Sequence, residues 1–156
     1  MAQPSVSSVH VSDGGVPKYP VLAAYIGPDG LSGDRQRNLR FHGGPDRAVC
    51  LYSLDLIQAL QAEGHPIAPG TIAENLTLAG IDWRAMVPGT RLRAGDALLE
   101  LTSYTAPCKS IRGSFVGEAF VRVSQKVHPG WSRLYARVLE PGTVTPGSPA
   151  ILLPLP

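Results

Sequence analysis

Glycine and proline limit the length of every element this chain can build. Seventeen glycines and fifteen prolines make up about a fifth of its 156 residues, and they are scattered rather than clustered. Gly frees the backbone, whereas Pro fixes φ and removes a donor, so both interrupt regular structure. Spread in this way they allow many short segments and mark no linker. Pro-Gly-Thr recurs at Pro69, Pro88 and Pro141. After the second and third copies a Gly95-Asp96 or Gly147-Ser148 turn leads into an apolar run, which is one turn chemistry reused rather than a sequence repeat.

The segments between these breakers are rich in Val, Leu, Ile and Thr. Strands are predicted at 6–11, 21–26, 47–52, 75–78, 91–92, 97–102, 135–139 and 150–153. One helix is predicted from an N-cap at Ser53, with Leu54, Ile57 and Leu60 on one face and Gly64 ending it. A helical turn fits 82–86, and 114–125 matches no single period. Many short strands with little helix predict a mainly β fold, a β-barrel with a few short surface helices. At 156 residues the chain fits a single domain, 1–156, with its core over about 6–153.

The 44% hydrophobic content excludes a disordered chain, and no stretch reaches the roughly 18 apolar residues of a membrane span. The start Met1-Ala2-Gln3-Pro4-Ser5 lacks the basic and apolar runs of a signal peptide, so a cytoplasmic location is expected. A net charge of +2 gives no argument for nucleic acid, and none is expected as a partner. Oligomeric state leaves no mark in the sequence. Eleven of the 14 cations are Arg, whose planar fork suits phosphates and carboxylates. Arg35, Arg37, Arg40 and Arg47 crowd one region around His42, which reads either as a solvated basic loop or as an anion site.

Three segments carry candidate chemistry. In His42-Gly43-Gly44-Pro45-Asp46-Arg47 the paired glycines expose backbone N–H groups, and His42 and Arg47 flank them; an ordinary turn before a strand fits equally. In Glu74-Asn75-Leu76-Thr77, Asn75 can both donate and accept, which suits a heterocycle edge, although a strand-entry turn also fits. Cys108 follows a strand and Pro107, with Lys109 and Ser110 after it. A neighbouring cation favours the thiolate, which is both a nucleophile and a soft metal ligand. Cys50, inside Ala48-Val49-Cys50-Leu51-Tyr52, reads as a small buried hydrophobe. The four His and two Cys show no paired zinc spacing.

Taken in order, His42-Gly43-Gly44-Pro45-Asp46-Arg47-Ala48-Val49, Glu74-Asn75-Leu76-Thr77 and Pro107-Cys108 resemble the MOSC domain family (molybdenum cofactor sulfurase C-terminal domain). Gly14-Gly15-Val16-Pro17-Lys18 and Gly30-Leu31-Ser32-Gly33-Asp34 resemble its small stand-alone bacterial members. The resemblance implies a molybdenum–pterin cofactor with Cys108 as molybdenum ligand, and reduction of a small N-hydroxylated substrate. It places Arg35, Gly43, Gly44, Asp46, Arg47, Glu74, Asn75 and Lys109 around the cofactor, with His42 and Asn75 orienting pterin or substrate beside Cys108. The sequence has no flavin, haem or iron–sulfur ligand set, so a separate electron-donor protein is expected. Pyridoxal phosphate belongs to a different domain of fused relatives and is not expected here. Two alternatives stand beside this reading. One is a sulfur carrier holding a persulfide on Cys108, with a cysteine desulfurase as partner. The other is a small barrel that binds an anion without catalysis. Ala73 stands where the family usually has Gly, which implies a relaxed backbone approach at that point.

Overall fold

The computed structural model describes residues 3–35 and 43–153. His42, Arg37 and Arg40 lie outside the described residues. Among the described residues eleven strands form two sheets, accompanied by one α-helix. The strands are β1 (Ser5–Val11), β2 (Tyr19–Val21), β3 (Ala24–Gly27), β4 (Gly30–Leu31), β5 (Val49–Ser53), β6 (Leu76–Ala79), β7 (Arg91–Ala94), β8 (Ala97–Tyr104), β9 (Leu134–Glu140), β10 (Gly142–Val144) and β11 (Ala150–Leu153). The larger sheet has the order β11-β7-β8-β9-β5-β6-β1-β2, and the smaller one is β10-β3-β4.

The mainly β class holds, but the barrel does not. Edge strands β2 and β11 share no ladder, so the eight-stranded sheet is open. It curls only far enough for a single Ser5–Pro149 bridge, with Val6 N donating to the Ser148 carbonyl at 2.8 Å and Gly147 N to the Val6 carbonyl at 2.7 Å. The segment predicted as one strand at 21–26 explains part of this difference. It breaks after Val21, and its halves join different sheets: β2 pairs with β1, while β3 pairs with β10 and β4. Pro20 has no N–H to offer a further neighbour, which fits an edge strand.

Helix α1 (Leu54–Ala62) forms where it was predicted. Ser53 Oγ accepts from Leu56 N at 3.1 Å, and Ile57 and Leu60 face the core. Gly64, at φ +99°, ends the helix; its N–H reaches the Gln61 carbonyl and His65 N–H the Leu60 carbonyl, a Schellman closure. Helix α1 links β5 to the parallel strand β6. All five residues of β5 are buried because the strand is paired on both sides at the centre of the sheet. The stretch 114–125, which matched no single period, follows the 310 segment Lys109–Ser114 and holds two further short 310 turns, Val116–Glu118 and Phe120–Val123, with positive φ at Gly117 and Glu118. Turns this short need no sustained apolar period. Among the described residues no helix is long and apolar enough to cross a membrane.

Candidate functional site

The open sheet brings six chain segments to one cavity of about 280 Å3. Its floor is made by the buried residues Lys18, Cys50, Asn75, Arg133 and Tyr135. Its rim carries Val16, Arg35, Cys108 and Ser110, which are half-buried or exposed. Cys108 therefore does meet the Asn75 turn and Arg47 in one place, as the order of the motifs predicted.

Asn75 is the clip between these segments. Its backbone N donates to the Cys50 carbonyl at 2.8 Å, and its Oδ1 accepts from Cys50 N at 3.0 Å. Asn75 thus pairs with both backbone groups of the residue that enters β5. Its Nδ2 donates to the His10 carbonyl at 3.2 Å and to Asp34 Oδ2 at 2.9 Å. Both amide protons are committed to the protein, so Asn75 holds the cavity together and can offer a ligand only its carbonyl oxygen.

Asp34 extends the clip. Its Oδ1 takes Lys18 Nζ at 2.6 Å and Ser12 N at 3.0 Å. Only 7% of the Lys18 side chain and 2% of the Asp34 side chain are exposed. This pair ties the Gly14–Lys18 loop to the Asn75 turn. Gly70 makes the junction close: its φ is +86°, and a Cβ there would meet the Lys18 carbonyl and the His10 ring.

Ala73 also has a left-handed backbone, at φ +66°. The chain keeps the conformation that Gly would take there and tolerates the Cβ strain. Ala73→Gly is expected to raise unfolding stability by about 0.5–1 kcal/mol, measured by urea denaturation, because relief of that strain exceeds the entropic cost of Gly.

Cys108 lies in extended backbone ahead of the first 310 turn, with its Sγ 2.8 Å from Ser110 Oγ. Lys109 is exposed and does not line the cavity. Cys50 is buried, as predicted, yet it faces the same cavity opposite its register partner Tyr135. Burial raises the pKa of both groups, keeping Cys50 a neutral thiol and pushing the Tyr135 phenol up to about 12. The Arg47 guanidinium lies 5.9 Å from the centre of the Tyr135 ring.

The remaining expected residues sit elsewhere. Gly43, Gly44 and Asp46 line a neighbouring depression with Thr102, Ser103 and Arg137, and Arg47 borders both hollows. Glu74 is fully buried behind the cavity. Its Oε2 accepts from Thr77 Oγ1 at 3.0 Å, while Oε1 has no partner. Burial raises the Glu74 pKa and favours its protonated form in the fold. The stability this group contributes is complete below the ordinary carboxylate pKa and is lost as pH rises through the raised folded value. Glu74→Gln is expected to flatten that loss, read as a smaller drop in unfolding free energy as pH rises above the ordinary carboxylate range.

Lys18, Asp34, Arg133 and Tyr135 were not singled out from sequence as site residues. Lys18 and Asp34 lie in the two upstream glycine motifs, which was the available signal. Arg133 and Tyr135 gave none beyond a cation at the start of an apolar strand.

A sheet of this topology with a cysteine-rimmed basic cavity agrees with what sequence comparison finds: residues 38–150 match the MOSC domain, and the chain belongs to the MOSC domain family. Among individual proteins, it is 32% identical over 142 residues to the uncharacterized protein YflK of Bacillus subtilis (strain 168), covering 89% of this chain and 63% of that protein. It is 30% identical over 129 residues to protein YiiM of Escherichia coli (strain K12), covering 80% and 56%. The chain thus spans less than two thirds of the length of either relative. The crystal structure of YiiM from Geobacillus stearothermophilus superposes with a TM-score of 0.74 at 24% identity, covering 97% of this chain and 75% of that one. The YUAD protein of Bacillus subtilis superposes with a TM-score of 0.72 at 16% identity, covering 97% and 96%. These last two likenesses are of fold.

Proposed function

We propose that this MOSC domain binds a molybdenum–pterin cofactor in the cavity through Cys108 and reduces small N-hydroxylated compounds. The observation that carries the reading is the character of the lining. Lys18, Arg35, Arg47 and Arg133 line the cavity, no Asp or Glu does among the described residues, and a thiol stands at the rim. Four cations without a lining carboxylate suit an anionic ligand, and a thiolate suits a soft metal. Among the described residues no three His, Cys, Asp or Glu side chains converge, so Cys108 would be the chain's own ligand.

When bound, the cofactor supplies acceptance of the oxygen from an N–O bond. The chain's residues do the rest. Arg47 binds the ligand's anionic portion while Arg35 draws it in from the exposed rim, Ser110 bonds the Cys108 sulfur, and the Asn75–Asp34–Lys18 network fixes the spacing between floor and rim. Reduction of an N-hydroxyl group to the amine consumes two electrons and two protons and releases water. A separate donor protein delivers the electrons.

Viologen-linked reduction of a hydroxylamino-purine tests this reading. Cofactor-loaded protein is expected to turn over the substrate and Cys108→Ala to fall to the uncatalysed rate; equal rates in both would remove Cys108 from the reaction. The half-exposed position of Cys108 favours a second reading, a persulfide carrier served by a cysteine desulfurase. Intact mass after incubation with a desulfurase would then show one added sulfur, absent from Cys108→Ala.

A further inference from the structure

The cavity floor holds a cation without a counter-ion. Arg133 is 4% exposed and begins the run into β9. Its Nη1 donates to the Ile72 carbonyl at 2.7 Å, and its Nε is buried with no partner. Among the described residues no carboxylate forms an ion pair with it. Lys18, the other floor cation, is already met by Asp34. Glu74 acts on Arg133 only at longer range, and burial favours its neutral form.

A guanidinium cannot escape burial by losing its proton. A buried charge without a partner is strongly disfavoured, and an unpaired N–H adds to the cost. Arg133 is also one of the residues that line the cavity.

We propose that the guanidinium of Arg133 is the floor of an oxyanion site that takes a phosphate group, with or without a metal at Cys108. The inference deepens the proposed function, since it uses the same cavity and fixes the direction of entry. The ligand's anionic end goes in first, and its other end lies at the rim beside Cys108. Arg35, exposed at that rim, steers the anion without anchoring it.

Thermal unfolding of the metal-free full chain in inorganic phosphate, against chloride at equal ionic strength, tests the site. Wild type is expected to gain a few degrees of Tm with phosphate, and with phenyl phosphate if esters fit as well as the free ion. Arg133→Met is expected to lose that gain, Arg133→Lys to keep part of it, and Arg35→Gln to keep most. If Arg133→Met does not fold, the Arg133 Nε–H resonance of the wild type provides the measurement and should move with phosphate but not with chloride. An equal phosphate gain in Arg133→Met, an unmoved Nε–H, or no phosphate-specific gain in wild type overturns the proposal. A phosphate response in a protein that never retains molybdenum would keep this site and remove the cofactor reading. Molybdenum retention without a phosphate response would do the reverse.

Discussion

Asp34→Ala is expected to destabilise the protein by about 3–5 kcal/mol, the range for stripping one partner from a buried ion pair. The substitution leaves Lys18 as a buried ammonium whose only other side-chain bond among the described residues is a 3.4 Å contact to Ser12 Oγ. It also takes an acceptor from Ser12 N and from Asn75 Nδ2. These groups belong to two segments, the β1–β2 connection and the Asn75 turn, so the Gly14–Lys18 loop should detach from the Asn75 turn and the cavity should lose its shape. Urea unfolding measures the loss. In Lys18→Met/Asp34→Leu, where neither charge is left alone, a large part of the stability should return. A loss below about 1 kcal/mol in Asp34→Ala would mean that solvent reaches the pair and that it does not hold the loop.

Much of the architecture could be read from local signals. The Ser53 cap, the Ile57/Leu60 face and the Gly64 stop act within one helix, and α1 has the expected bounds. The longer strands were legible for the same reason, as apolar runs between breakers, whereas β2, β4 and β10 are only two or three residues long, carry Gly or Pro themselves and were not predicted as separate strands. Sheet closure was not legible. Whether β2 and β11 pair depends on sheet curvature and on how 21–26 divides, and both are settled by contacts distant in sequence. The 310 chain over 109–123 carried no periodic signal because each turn is too short to have one.

The site was legible in part, and the division has a physical cause. Cys108, Asn75, Arg35 and Arg47 belong to compact motifs, and they do line one cavity. Gly43, Gly44 and Asp46 share a motif with Arg47 yet face the adjacent hollow, because a 310 turn at Pro45–Arg47 directs the two ends of that loop differently. Asn75 was expected to read a ligand, but its donors are taken by His10 and Asp34, both remote in sequence. Arg133 could not be recognised because an arginine at a strand entry is usually solvated. Its importance comes from burial and from the absence of a counter-ion, which are properties of the folded chain.

The central claim is that Cys108 is the metal ligand of this cavity. A Ser hydroxyl in its place is a hard, neutral donor that cannot replace a soft thiolate, so Cys108→Ser should bind the same anion but hold no metal. A serine hydroxyl at 108 can keep the hydrogen bond to Ser110, and a matched thermal melt checks that the variant folds. The direct measurement is the metal content of protein purified from cells that make the cofactor. Wild type is expected to carry about one molybdenum per chain and Cys108→Ser close to none, as expected when one protein thiolate anchors the metal. Wild type without molybdenum, or a Cys108→Ser variant that retains it in full, would contradict the account.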